Sequence, residues 1–124
     1  MPTIELNTEN FTDTIESSET ILIDFWASWC QPCLRFAPVF EAAAEKYPDV
    51  TFAKLDTQAN PEIATALEIS SIPTLMVLKG GMLLYREPGA LSSKQLEGLV
   101  EQVKGLDIAE LKAEAEAHAA DHQH

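Results

Sequence analysis

Cys30 and Cys33 are the only two cysteines of this 124-residue chain, and they stand three apart in Trp29-Cys30-Gln31-Pro32-Cys33. On a helix, residues at this spacing are neighbours, near enough for their sulfurs to bond. The loop such a bridge closes is too short to restrict the unfolded chain much, so a structural staple is a poor explanation for it. Thiol–disulfide exchange explains the spacing better. Exchange needs one thiol partly ionised at neutral pH. Cys30 falls where an apolar run gives way to a helical pattern, and a helix N-terminus offers unpaired N–H groups and the positive end of its dipole to a thiolate. Cys30 is therefore expected to attack a substrate disulfide. Cys33, one turn further in, then attacks the Cys30 sulfur and releases the reduced substrate.

Asp24 interrupts an otherwise continuous apolar run, Ile21-Leu22-Ile23-Asp24-Phe25-Trp26-Ala27. A buried carboxyl resists ionisation and titrates in a range useful for proton transfer. Asp24 is expected to accept the proton of Cys33 while that sulfur attacks. Lys54, on a second core run, either lies near Asp24 and tunes its charge or is an ordinary surface lysine. Pro73 in Ser71-Ile72-Pro73-Thr74 stands at the start of another apolar run, where a missing N–H marks a bend. Most bonds before proline are trans, and from the residues alone the Ile72–Pro73 bond is expected to be so. A metal site is the competing use of the cysteines. Cys30, Cys33, His118 and His122 supply C-x2-C and H-x3-H, but the gap far exceeds the roughly 12–15 residues of compact zinc fingers. No metal site is expected.

The elements that must position these groups follow from periodicity. Residues 3–6 form a short strand, and Asn7 or Thr8 caps a helix bearing Phe11 and Ile15. Residues 21–27 read as a strand covered on both faces. From Pro32 to Tyr47 apolar residues recur at helical spacing. Pro32 sits in the first turn, where a missing N–H costs little, and Pro38 lies inside the helix and is expected to kink it. Residues 50–55 form a strand. Asn60-Pro61-Glu62 opens a helix with an Asn cap and Pro at the first position. Residues 74–78 and 82–85 form a hairpin around Gly80-Gly81. Ser92 and Gln95 form a capping box for a helix through Val103. The order β-α-β-α-β-α-β-β-α predicts an α/β sandwich whose final antiparallel hairpin makes the sheet mixed. Composition shifts after Gly105. Residues 1–105 are expected to form the main domain, and 106–124 a helical extension with a frayed, histidine-containing end.

A net charge of −12 disfavours nucleic acid and anionic membranes as partners. The N-terminal residues lack a basic stretch followed by an apolar core, and no apolar run approaches bilayer length, so neither a signal peptide nor a membrane span is expected. The expected location is a reducing cytoplasm, where an isolated cysteine pair is more often catalytic or metal-binding than structural.

The landmarks taken together, from Asp24-Phe25-Trp26-Ala27 through Trp29-Cys30-x-Pro32-Cys33, Ala53-Lys54-Leu55, Asn60-Pro61 and Ile72-Pro73-Thr74-Leu75 to Gly89-Ala90-Leu91, resemble the thioredoxin family over about residues 3–104. The resemblance implies the thioredoxin fold, a central mixed sheet flanked by helices, here with an extra C-terminal helix. It implies that Cys30 attacks, that Cys33 is the buried resolving cysteine, and that Asp24 lies beneath the site paired with Lys54. Pro73 would be cis and face the sulfurs. Trp29, Gln31, Pro32, Ile72, Pro73, Gly89 and Ala90 would receive an extended substrate segment. The partners implied are disulfide-containing proteins and a thioredoxin reductase drawing electrons from NADPH, with no bound cofactor and a monomeric chain. Gln31 stands where the usual motif has glycine. Leu34 replaces a common lysine, which removes a positive charge near the thiolate and should raise the Cys30 pKa slightly; Arg35 offsets part of that loss.

Overall fold

The computed structural model describes residues 2–121. The elements are β1 (Thr3–Glu5), α1 (Phe11–Ser17), β2 (Thr20–Trp26), α2 (Gln31–Lys46), β3 (Thr51–Asp56), α3 (Pro61–Ala66), β4 (Thr74–Lys79), β5 (Met82–Pro88), α4 (Ser93–Lys104) and α5 (Ile108–Asp121). The five strands form one sheet in the order β1-β3-β2-β4-β5. β1 and β2 run parallel to β3, β4 runs antiparallel to β2, and β5 antiparallel to β4. The sheet is therefore mixed, as the alternating elements and terminal hairpin predict.

β2 occupies the centre, which explains why its sequence does not alternate: both faces are covered. On one face Leu22 packs with Phe36 and Phe40 of α2, Phe52 of β3, Leu75 and Val77 of β4, and Leu96 and Val100 of α4. On the other, Ile21, Ile23 and Phe25 pack with Ala53, Leu55 and Met76, joined by Phe11 and Ile15 of α1 and Ile63 just inside α3. Phe40 and Phe52 meet edge to face, their centroids 5.2 Å apart, which anchors α2 over the sheet. Pro38 lies inside α2 as expected.

The β4–β5 turn is Gly80-Gly81, with φ of +59° and +79°. Two consecutive left-handed residues are what a two-residue hairpin turn matched to strand twist requires. The hairpin is longer than its apolar pattern suggests, because β5 continues through Arg86 and Glu87 to Pro88. As an edge strand it tolerates that polar end.

Two caps differ from expectation. Neither Asn7 nor Thr8 begins α1, which starts at Phe11 after Asn10. The Asn7 side-chain oxygen instead accepts the N–H groups of Glu9 and Asn10, both at 2.9 Å, and organises the turn before the helix. Asn60 does precede α3, but its side-chain amide donates to the carbonyls of Leu6 and Asp56 and does not cap. The Ser92–Gln95 capping box is present in both directions, at 3.1 and 2.9 Å.

The extension begins with a buried cation. Lys79 is 5% exposed, and its Nζ donates to the carbonyls of Val103 (2.9 Å), Lys104 (3.2 Å) and Leu106 (2.7 Å). A lysine here satisfies carbonyls at the C-terminus of α4 and complements the negative end of its dipole. Asp107 follows at the start of α5, its side chain accepting the Glu110 N–H at 3.2 Å. Ile108 sits so close to the hairpin turn that a Cβ on Gly80 would come within 2.7 Å of its Cγ2. His118 falls within α5, while His122 and His124 lie outside the described residues. Among the described residues no helix is long and apolar enough to cross a membrane.

Candidate active site

The central strand delivers the dithiol. Beyond Trp26 the chain turns, the Cys30 N–H donating to the Ala27 carbonyl at 3.2 Å, and enters α2. Cys30 is the residue ahead of the helix, in extended conformation, with Pro32 in the first turn. Its Sγ accepts the backbone N–H of Cys33 at 3.2 Å. The sulfur thus does what a serine or aspartate usually does at this position. That N–H and the dipole behind it point at the atom on which negative charge gathers when the sulfurs part. Cys30 and Cys33 are joined as a disulfide, their Cα atoms 5.2 Å apart. They are 4% and 2% exposed, whereas the preceding Trp29 is 64% exposed. Gln31 and Pro32, between the sulfurs in sequence, are exposed.

Asp24 lies on the face of β2 that α2 and α4 cover, in register with Lys54 of β3 and Leu75 of β4. It is 1% exposed, and neither carboxyl oxygen has a hydrogen-bond partner among the described residues. Burial pushes its pKa up to about 7; Lys54 draws it down and Glu41 pushes it further up. The Lys54 ammonium does not rest on the Asp24 carboxyl. It lies over the Trp26 ring, 4.7 Å from the centroid, and acts on Asp24 through the field across the strand pair. The two residues are thus partners in register and in charge, without an ion pair between them among the described residues.

Glu41 is the neighbour that sequence reasoning missed. It projects from α2 and accepts the Thr3 hydroxyl of β1 at 2.9 Å. No spacing rule connects it to Asp24, because the two meet only once α2 has packed across the sheet.

The β4 entrance completes the surroundings of the sulfurs. The Ile72 carbonyl oxygen lies 3.7 Å from Cys30 Sγ. The Ile72–Pro73 bond is cis, which corrects the trans form expected from the residues alone and agrees with the resemblance. The Pro73 carbonyl accepts the Gly89 N–H at 2.7 Å, tying the loop after β5 to the proline loop. Gly89 has φ of +102°, a backbone that side chains rarely allow, so glycine is required there. Ala90 follows, exposed. Pro73 and Gly89 are thus directly joined and Ile72 stands at Cys30; Trp29, Gln31 and Pro32 flank the dithiol on its own segment. A cleft of about 360 Å³ opens elsewhere, lined by residues including Glu5, Trp26, Lys54 and Asn60; neither cysteine lines it.

Comparison with known proteins gives one consistent family. The family model described as Thioredoxin matches residues 2–103. A Streptomyces coelicolor protein described as a thioredoxin 2 is 49% identical over 118 residues, covering 94% of this chain and 88% of that one. A structure of Plasmodium falciparum thioredoxin superposes with a TM-score of 0.75 at 31% identity, over 81% of this chain and 98% of the other. A bifunctional thioredoxin reductase/thioredoxin of Mycobacterium leprae is 43% identical over 90 residues, 71% of this chain but 20% of that longer protein.

Proposed function

The chain belongs to the thioredoxin family and is a thiol–disulfide oxidoreductase, and we propose that it reduces protein disulfides with Cys30 as attacking and Cys33 as resolving sulfur. The observation that carries this reading is the Cys30 sulfur at the start of α2, bonded to Cys33 and receiving the Cys33 N–H.

In the reduced protein the Cys30 thiolate attacks one sulfur of a substrate disulfide. A Cys30–substrate bond forms, the substrate S–S bond breaks, and the departing substrate sulfur leaves as a thiolate that takes up a proton. Cys33 then loses its proton and attacks Cys30 Sγ. The mixed disulfide breaks, the second substrate thiol departs, and the Cys30–Cys33 disulfide remains, two electrons having passed to the substrate. Asp24, with a pKa near 7, is matched to accept the Cys33 proton at neutral pH. Burial sets that affinity, and Lys54 and Glu41 adjust it in opposite directions.

Trp29, Gln31, Pro32, Ile72, Pro73, Gly89 and Ala90 form the surface on which the substrate segment lies. Supporting this, the Ile72 carbonyl stands beside Cys30 Sγ and Gly89 is bonded to Pro73. Electrons return from NADPH through a thioredoxin reductase. The Mycobacterium leprae relative, described as carrying both activities in one chain, supports a reductase as partner. The protein works as a cytoplasmic monomer, without nucleic acid, membrane or metal. Residues 1–105 carry the chemistry, and 106–124 are an appended helical segment.

The test is insulin disulfide reduction by dithiothreitol. The protein accelerates it and the Cys30→Ser variant does not; an unaccelerated reaction with the unaltered protein would refute the reading.

A further inference from the structure

Cys30 Sγ belongs to a residue only 4% exposed, so a substrate sulfur reaches it only if the chain carrying it presses against the neighbouring side chains. The exposed large apolar residues among those described are Ile4, Trp29, Leu34 and Leu83. Ile4 and Leu83 lie on the edge strands β1 and β5. Trp29 and Leu34, 64% and 43% exposed, instead bracket the two cysteines. Trp29 directly precedes the cap residue Cys30, and Leu34 is the fourth residue of α2, its N–H donating to the Cys30 carbonyl at 3.1 Å. These are the two positions whose apolar side chains lie side by side at a helix start. In many helices they cover each other; here both stay open to solvent.

The charge around them is as uneven. The chain carries a net charge of −12, yet between Phe25 and Phe40 Arg35 is the only charged residue. Gln31, three positions before Leu34, shares its side of the helix and is also neutral. A charged substrate side chain set down on Leu34 would lose water and meet only the neutral amide of Gln31, which leaves its charge unpaired. An aliphatic or aromatic one would gain by burial.

We propose that Leu34 is a specificity-determining residue, selecting disulfide-bearing segments that carry an aliphatic or aromatic side chain next to the reacting cysteine. The assignment rests on the disulfide reductase reading and extends it to the class of substrate. The occupant is the substrate segment itself, because Trp29 and Leu34 flank Cys30, whose sulfur the substrate must reach.

The experiment uses the full chain, recycled by dithiothreitol, with two disulfide-linked peptides identical except for leucine or serine beside the cysteine. The unaltered protein prefers the leucine peptide in kcat/KM. Leu34→Ala and Leu34→Gln lower that preference roughly three- to tenfold, the effect of re-exposing about half a leucine side chain. The loss lies in KM for the leucine peptide, and Leu34→Met restores the preference. The pH profile of Cys30 alkylation is measured in parallel, because a residue acting only on the thiol would shift that profile and slow both peptides alike. An unchanged preference in Leu34→Ala, or equal slowing of both peptides with a shifted profile, overturns the proposal. So does a wild-type dimer that Leu34→Ala converts to monomer, which would place a second copy on Trp29 and Leu34. If the unaltered protein reduces neither peptide, the reductase reading itself has failed.

Discussion

Replacing Asp24 by asparagine should make the protein more stable at neutral pH, and the gain should vanish in acid. Asp24 is 1% exposed, and neither oxygen has a partner among the described residues. Asparagine keeps its shape and stands in for the neutral acid. Burial moves the carboxyl from its usual 3.8 to about 7 in the folded chain. Between those values the native state holds a proton that the unfolded state has released, so stability falls as pH rises through the window. The part of its cost that comes from ionisation vanishes below pH 3.8 and is complete above about 7. At 1.36 kcal/mol per pH unit, the penalty amounts to about 4 kcal/mol. Urea unfolding of the oxidised wild type and Asp24→Asn, followed at several pH values from 4 to 8, isolates it, since the other carboxylates cancel in the difference. The variant should gain about 4 kcal/mol by pH 8 and almost none near pH 4. A difference independent of pH would refute the argument, for it would mean that Asp24 titrates alike in both states.

Lys79→Met should cost about 2–4 kcal/mol, because it strips the carbonyls of Val103, Lys104 and Leu106 of a shared charged donor; urea midpoints measure the loss. Gly80→Ala should cost about 1–2 kcal/mol, both for its left-handed backbone and for the contact with Ile108, and adding Ile108→Ala should return the steric part. Ser92→Ala removes the cap on the Gln95 N–H and should lower stability by about 1 kcal/mol, read as a drop in Tm.

The order of elements was legible because each carries its own signal: the unbroken apolar run of β2, the helical spacing from Pro32 to Tyr47, and the Gly80-Gly81 turn. Asp24 stood out for a similar reason, as the one acid in a buried run. What stayed hidden depends on packing. Glu41 nears Asp24 only because α2 crosses the sheet, and the Lys54 ammonium rests on Trp26 although its backbone faces Asp24. Lys79 resembles an ordinary charged residue beside a turn until α4 ends above it. Asn7 and Asn60 have the residue type of a cap, but asparagine also organises turns and donates from its amide, and the local sequence does not say which use prevails.

The lysine clasp also fixes where the chain can be elaborated. Thr74, at one end of β4, adjoins the proline loop that meets Cys30, whereas Lys79 and Gly80 stand at the other end. Six residue steps along the chain carry Thr74 to Gly80, about 20 Å at the usual rise. The appended helix is therefore rooted at the opposite pole of the sheet from the reacting sulfurs. Its holdfast is an ammonium on backbone carbonyls, with no carboxylate of its own to titrate alongside Asp24. Ile108 is the side chain of the appended helix that meets the hairpin turn beside the clasp, at Gly80. The helix is a natural graft point for a label or surface linker, one that leaves the dithiol face open to its substrates.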